Sequence, residues 1–262
     1  MRASGQKALV PFFTAGYPDE ETFLALVAAA ARTGCRLVEV GIPFSDPIAD
    51  GPVIQASSEA ALARGMTLAR ALDLTREASM ESKVSVCAMG YLNPILRMGI
   101  ERFARRAAES GVAGVIIPDL PIDESARTRR ALAAESITLV DLVALTSSPE
   151  RLAAISRSAE GFLYLVALTG VTGSSAAEPA VFDAFVDRVR SQAPLPLYAG
   201  FGIATPEDAL RATARSDGVI IGSALIRIID AAPSPEAAVA KVEEFLHTVQ
   251  EAINPPGRSR DR

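Results

Sequence analysis

Short runs of aliphatic and β-branched residues alternate along this chain with longer stretches in which Ala, Leu, Glu and Arg recur at helical spacing. The runs predict strands near Ala8–Phe13, Leu37–Val40, Val84–Ala88, Gly114–Ile117, Thr138–Val143, Phe162–Val166, Leu197–Tyr198 and Gly218–Ile221. Helices are predicted between them, near Glu20–Thr33, Pro52–Ser79, Ile100–Ser110, Glu124–Ala134, Pro149–Ser156, Pro179–Arg190 and Pro206–Ala214. Two more, around Ser223–Asp230 and Pro235–Ala252, close the pattern. Asp19-Glu20-Glu21 and Ser148-Pro149-Glu150 carry the capping and acidic residues of helix N-termini. Eight strand–helix units with no linker-like break predict an α/β fold, a single (β/α)8 TIM barrel over residues 1–254. An open doubly wound sheet has the same alternation and is the structural alternative. Residues 255–262, Pro255-Pro256-Gly257 followed by Arg258-Ser259-Arg260-Asp261-Arg262, read as a flexible basic tail without function.

A chain of 262 residues suits one such barrel, which needs about 250. Hydrophobic residues at 49% and charged residues at 22% supply an ordinary globular core. Net charge is −5 and no Lys/Arg stripe stands out, which argues against nucleic acid or an anionic membrane as partner. No apolar run is long enough to cross a bilayer, and Met1–Gly5 lacks a signal-peptide core, so a cytoplasmic location is expected. Cys35 and Cys87 have no metal-ligand spacing and sit in or beside apolar segments, as small core residues do. The sole histidine, His247, falls on a charged helical pattern and is expected at the surface. Ser/His/Asp, Cys/His and zinc–histidine chemistry are thereby excluded. Carboxylates, tyrosine and backbone amides must do the work.

One stretch concentrates the candidate chemistry. Leu37-Val38-Glu39-Val40 is an apolar run of the buried parallel kind, with a carboxylate inside it. The loop that follows, Gly41 to Pro52, is stiffened by Pro43, Pro47 and Pro52 and carries Asp46 and Asp50. A carboxyl at a strand end beside another on a rigid loop is a plausible acid/base pair, and in a barrel the loops after the strands build the active site. The plainer alternative is a buried Glu held by an ion pair, with two turn-forming aspartates.

Three Gly-rich turns follow the last three predicted strands: Thr169–Ser175, Ala199–Ile203 and Ile221–Ala224, the last opening a short helix. Phosphate binding needs closely approaching backbone N–H donors, and barrel enzymes build such a cradle from these loops and an extra helix N-terminus. Gly173, Gly202, Gly222 and Ser223 suit that task, although a single glycine more often serves only a tight turn. The segment from Leu168 to about Pro179 reads as a lid, or else as a mobile surface loop. Tyr164 lies in an apolar run where its hydroxyl needs a partner.

Glu39 followed by Gly41-Ile42-Pro43-Phe44-Ser45-Asp46-Pro47 and Ala49-Asp50-Gly51-Pro52 resembles the signature of the tryptophan synthase α-subunit family. The likeness runs from about Val10 to Ile229 and recurs at several separated motifs. It implies retro-aldol cleavage of indole-3-glycerol phosphate, without metal or organic cofactor, in the last stage of tryptophan biosynthesis. It implies Glu39, Asp50 and Tyr164 as the catalytic residues, and the four positions Gly173, Gly202, Gly222 and Ser223 around the substrate phosphate. Phe12, Met89, Ile116 and Phe201 match the family's indole-facing positions, though all four could simply be barrel core; Ile54 is an added contact. Thr172 is expected to meet the Asp50 loop when the lid closes, and Ala167 stands where relatives usually carry serine. The apolar loop Gly90–Gly99, together with Pro43–Pro47, resembles the face on which the family's β subunit docks in an α2β2 complex. Pro43, Asp46, Pro47 and Asn93 are the implied interface residues. The family usually has a further helix before the first strand, whereas only Met1–Lys7 precede it here.

Two classes of alternative remain at this point. One is another enzyme: a phosphosugar isomerase or epimerase barrel, or a stand-alone indole-releasing lyase. The other is a non-catalytic regulatory subunit that only activates a partner.

Overall fold

The computed structural model describes residues 5–169, 175–176, 178–200 and 202–255. Eight parallel strands close on themselves: β1 Ala8–Thr14, β2 Leu37–Gly41, β3 Ser85–Met89, β4 Val112–Ile116, β5 Thr138–Ala144, β6 Leu163–Val166, β7 Leu197–Ala199 and β8 Gly218–Ile221. Each pairs with its sequence neighbours, and β1 pairs with β8 through Ala8↔Gly218 to Pro11↔Ile221. That last ladder excludes the open sheet.

The two-residue period of a strand divides its side chains between two cores. Ala8, Val10, Cys87, Ile116, Val140, Phe162, Tyr164, Tyr198 and Ile220 fill the barrel interior. Phe162 and Tyr198 stack there with ring centroids 4.4 Å apart. Leu9, Phe13, Val38, Val40, Val86, Ala88 and Val115 point the other way, into the layer shared with the helices. In β2 this alternation leaves Leu37, Glu39 and Gly41 on the inner face.

The surrounding helices are α1 Glu20–Arg32, α2 Pro52–Ala63, α3 Leu68–Ser82, α4 Leu92–Met98, α5 Ile100–Glu109, α6 Ala126–Ala134, α7 Pro149–Ser158, α8 Pro179–Arg190, α9 Pro206–Thr213, α10 Ser223–Asp230 and α11 Pro235–Ile253. Asp19 and Ser148 cap α1 and α7 with their side chains, as their sequence positions predict. Two expectations need correction. The single helix over Pro52–Ser79 is two helices: Gly65 takes φ +88°, and Thr67 accepts the Arg70 amide N–H at 3.1 Å to cap α3. The Gly90–Gly99 segment is not all loop either. Its middle forms α4, whose first free amide, Leu92 N–H, is taken by the Asp119 carboxylate at 2.9 and 3.2 Å. Gly90, Pro94 and Gly99 hid that turn of helix from the sequence pattern.

Beyond β6, Leu168–Thr169 and Ser175–Ala176 pair as a short antiparallel ladder. Cys35 and Cys87 are buried and unpaired with each other, and His247 is exposed on α11 beside Glu251 at 3.4 Å.

Candidate active site

The site begins with Glu39. The strand period aims it into the barrel next to Phe12 of β1 and Cys87 of β3, its register partners. It is 1% exposed, and neither carboxyl oxygen has a hydrogen-bond partner among the described residues. An ionised carboxylate there would forgo most of its hydration. Burial, reinforced by the negative charge of Asp50, pushes its pKa up to about 8. That shift favours the protonated form of Glu39 at neutral pH.

Asp50 reaches the same place from the β2–α2 loop, which its own hydrogen bonds hold in shape. Ile48 N–H donates to Asp46 O and Asp50 N–H to Pro47 O, both at 3.0 Å. The Gln55 amide donates to the Asp50 carbonyl at 2.8 Å, and Pro52 starts α2 directly afterwards. Ala49 N–H donates to the Tyr91 hydroxyl at 3.0 Å, and the Tyr91 ring stacks on Phe44. Burial raises the Asp50 pKa to about 6, against the opposing pull of the Tyr91 hydroxyl. The two neighbouring carboxyls are thus both raised above the ordinary carboxylate range, Glu39 further than Asp50.

Tyr164 rises from β6 into the same region. Burial and then the charges of Glu39, Asp50 and Cys87 drive its hydroxyl well above the ordinary tyrosine range, so it stays a neutral phenol. A Cβ added to Gly200 would lie 2.0 Å from Tyr164 Cε1, so the β7 end passes the ring as bare backbone. At the β8 end, a Cβ on Gly222 would sit 3.3 Å from Phe12 Cδ1 and 3.4 Å from Ile54 Cδ1. Phe12, Ile54, Gly222 and the first residue of α10, Ser223, therefore form one wall ending in a helix N-terminus without a side-chain cap. No group of three or more His, Cys, Asp or Glu among the described residues is arranged to hold a metal ion. No helix among them is long and apolar enough to cross a membrane.

Comparison with known proteins gives this arrangement its family. The model of the family described as tryptophan synthase alpha chain matches residues 1–254. The chain belongs to the tryptophan synthase alpha chain family. The tryptophan synthase alpha chain of Geobacter sulfurreducens is 40% identical over 253 residues, covering 97% of this chain and 96% of its own length. The crystal structure of tryptophan synthase subunit alpha from Legionella pneumophila superposes with a TM-score of 0.88 at 35% identity, covering 96% of this chain and 94% of that one. Mycobacterium tuberculosis tryptophan synthase gives 0.86 at 34% identity, with coverage of 96% and 94%.

Members of the tryptophan synthase alpha chain family are carbon–carbon lyases of tryptophan biosynthesis, and this chain is one of them. Of the site residues expected from sequence, Glu39, Asp50 and Tyr164 converge, as do Phe12, Ile54, Gly222 and Ser223. Met89 is half-buried at the rim, paired in register with Ile116, which is fully buried in the barrel interior. Gly202 is exposed at φ +76°. Thr172, Gly173 and Phe201 lie outside the described residues. On the outer rim Asp46 and Asn93 are exposed, Pro47 is half-buried and Pro43 is buried. Ile48 at 82% and Leu96 at 53% are conspicuously exposed apolar side chains on the Asp50 loop and on α4.

Three residues escaped the sequence reading of the site: Tyr91, Asp119 and Gly200. Tyr91 carried a readable signal, a hydroxyl-bearing aromatic directly after a strand end. Gly200 stood in the Gly-rich turn Ala199–Ile203, but nothing there pointed to Tyr164, and Asp119 had no signal because its partner lies on another loop.

Proposed function

We propose that Glu39 and Asp50 are the carboxyls with which this chain cleaves indole-3-glycerol phosphate to indole and glyceraldehyde 3-phosphate, as a tryptophan synthase α subunit. The observation that carries the assignment is the convergence at one end of the barrel of a buried, unpartnered Glu39 carboxyl, the Asp50 carboxyl and the Tyr164 hydroxyl. Protonated Glu39 delivers its proton to ring carbon C3, which disrupts the ring's aromaticity and builds positive charge at the ring nitrogen. Ionised Asp50 accepts the ring N–H and stabilises that charge. The bond from C3 to the glycerol side chain then breaks, its electron pair restoring the indole. The adjacent hydroxyl loses its proton to the Glu39 carboxylate and becomes the aldehyde, so the glutamate is returned in its starting form.

Tyr164 serves as a neutral hydroxyl beside both carboxyls. Phe12, Ile54, Met89, Ile116 and Phe201 supply an apolar wall for the indole ring, which a phosphosugar isomerase or epimerase would not call for. Thr172 closes on the Asp50 loop, while Gly173, Gly202, Gly222 and Ser223 receive the phosphate. The β subunit docks on the face formed by Pro43, Asp46, Pro47 and Asn93, with Ile48 and Leu96 as apolar contacts, in an α2β2 assembly. The barrel, residues 1–254, carries all of this in the cytoplasm, and 255–262 take no part.

The test is indole formation from indole-3-glycerol phosphate by the purified chain, alone and with a cognate β subunit. Slow turnover that rises strongly with the β subunit is expected. Brisk turnover indifferent to the partner would make it a stand-alone lyase. Absence of indole under both conditions would overturn the assignment and return the choice to a regulatory subunit or a barrel enzyme with another substrate.

A further inference from the structure

Tyr91 takes no part in the proton transfers above, yet it grips the loop that carries Asp50. Its ring is buried and stacked on Phe44, with centroids 5.2 Å apart and planes at 27°. Its hydroxyl accepts the Ala49 N–H at 3.0 Å and also interacts with the Asp50 carboxyl. A phenol has one proton to give. With the oxygen accepting from Ala49, the proton is free for Asp50, and an ionised carboxylate can only accept it. One oxygen therefore fixes the main chain at Ala49 and stands close enough to the carboxyl of the next residue to act on it.

Tyr91 is itself held from the far side. It sits at the N-terminal boundary of α4, and the following amide, Leu92 N–H, is bound by both oxygens of Asp119. Asp119 belongs to the turn after β4, closed by Leu120 N–H to Ile117 O at 3.1 Å. From Tyr91 the helix turns outward and exposes Asn93 and Leu96. The contacts thus run from the β4 turn, through the start of α4, to Asp50.

We propose that Tyr91 is a positioning residue that aims the Asp50 carboxyl into the site and ties that aim to the seating of α4. The proposal rests on the catalytic reading of Asp50 and adds what holds the carboxyl in place. The groups facing Asp50 are Glu39 from β2, Tyr91 from the start of α4 and Tyr164 from β6, with Asp119 behind Tyr91. Among these, Tyr91 is the group that favours the ionised carboxyl, while burial opposes it. Without its hydroxyl Asp50 loses both a tether and a donor.

Tyr91→Phe removes the oxygen and keeps the stacked ring. Two measurements decide the matter: kcat and KM for indole formation from about pH 5 to about pH 9, and the Asp50 titration followed by carboxyl 13C NMR, assigned with Asp50→Asn. The expected result is a kcat lower by about ten- to a hundredfold, the loss of one hydrogen bond to a charged group. The acid limb and the Asp50 titration should both move to higher pH, with KM within about twofold of wild type because the phosphate end is untouched. Asp119→Ala should shift the same readouts in the same direction, and Asp119→Asn, which keeps an acceptor for Leu92 N–H, should restore them. An unmoved Asp50 titration in Tyr91→Phe would overturn the proposal, as would a lower kcat with an unmoved acid limb. Should wild type form no indole, the reaction assignment would fail, while the NMR titration would still decide whether Tyr91 holds Asp50.

Discussion

Gly200 lies against the ring of Tyr164 so closely that a Cβ there would fall 2.0, 2.2 and 2.3 Å from Cε1, Cζ and Oη. No rotamer change at Gly200 relieves that overlap, because the offending atom is fixed to the backbone. Tyr164 would have to leave its place beside Glu39 and Asp50. Gly200→Ala is expected to cost about 1–3 kcal/mol of stability, as overpacking of a core does, and to lower kcat. Denaturant melts and steady-state kinetics check both; an unchanged kcat would show that Tyr164 need not stand where it does.

Glu39→Gln tests the buried acid in two ways. Turnover should vanish, because an amide cannot deliver or take up the proton. Stability should move in the opposite direction at higher pH. The folded pKa of Glu39 lies near 8, above the ordinary 4.5. Between those values the folded protein keeps a proton that the unfolded chain releases. Wild-type stability contributed by this group is therefore intact at acid pH, declines as pH rises through that window, and is level above it. The amide carries no such penalty. Melting curves at about pH 5 and about pH 8 should show the variant's advantage only at the higher pH, on the order of a few kcal/mol.

The rate itself should follow a bell. The proposed mechanism requires Asp50 ionised and Glu39 protonated, so kcat/KM should rise through about pH 6 and fall through about pH 8. Asp50→Asn should lower the plateau and erase the acid limb while the basic limb remains. If the acid limb survived that substitution, another group would be setting it.

Ser223 opens α10 where the helix dipole and free N–H groups favour an anion. Ser223→Asp places a negative charge in the position proposed for the phosphate, and KM should rise by about tenfold or more through charge repulsion. Stability should be unchanged or slightly higher, since an acid in the first helical turn suits the dipole by about 0.3–1 kcal/mol. A KM indifferent to the charge would remove the phosphate from this helix.

Much of the site could be read from the chain because its parts are local. The apolar run Leu37–Val40 and its two-residue period carry Glu39 inward, and three prolines within ten residues stiffen the loop that bears Asp50. The Gly-Ser sequence before Leu225 announces the α10 N-terminus in the same way. The errors had the opposite origin. The Pro52–Ser79 pattern kept its helical period across a break that one left-handed glycine and one threonine cap decide. Helix α4 is too short for its period to register, and it starts because an aspartate from another loop captures its first amide.

By itself, then, the sequence determined the alternation of strands and helices, the inward aim of Glu39 and the rigidity of the loop behind it. These follow from dihedral preferences and periodicity acting within a dozen residues. Closure of the sheet, the grip of Tyr91 on a loop 42 residues earlier in the chain, and the passage of Gly200 across Tyr164 were decided only by the tertiary structure. Those contacts join positions with no local pattern in common. They exist because parallel strands closing into a barrel bring the loops after all eight strands to one rim, where side chains far apart in sequence share a single buried, poorly solvated space.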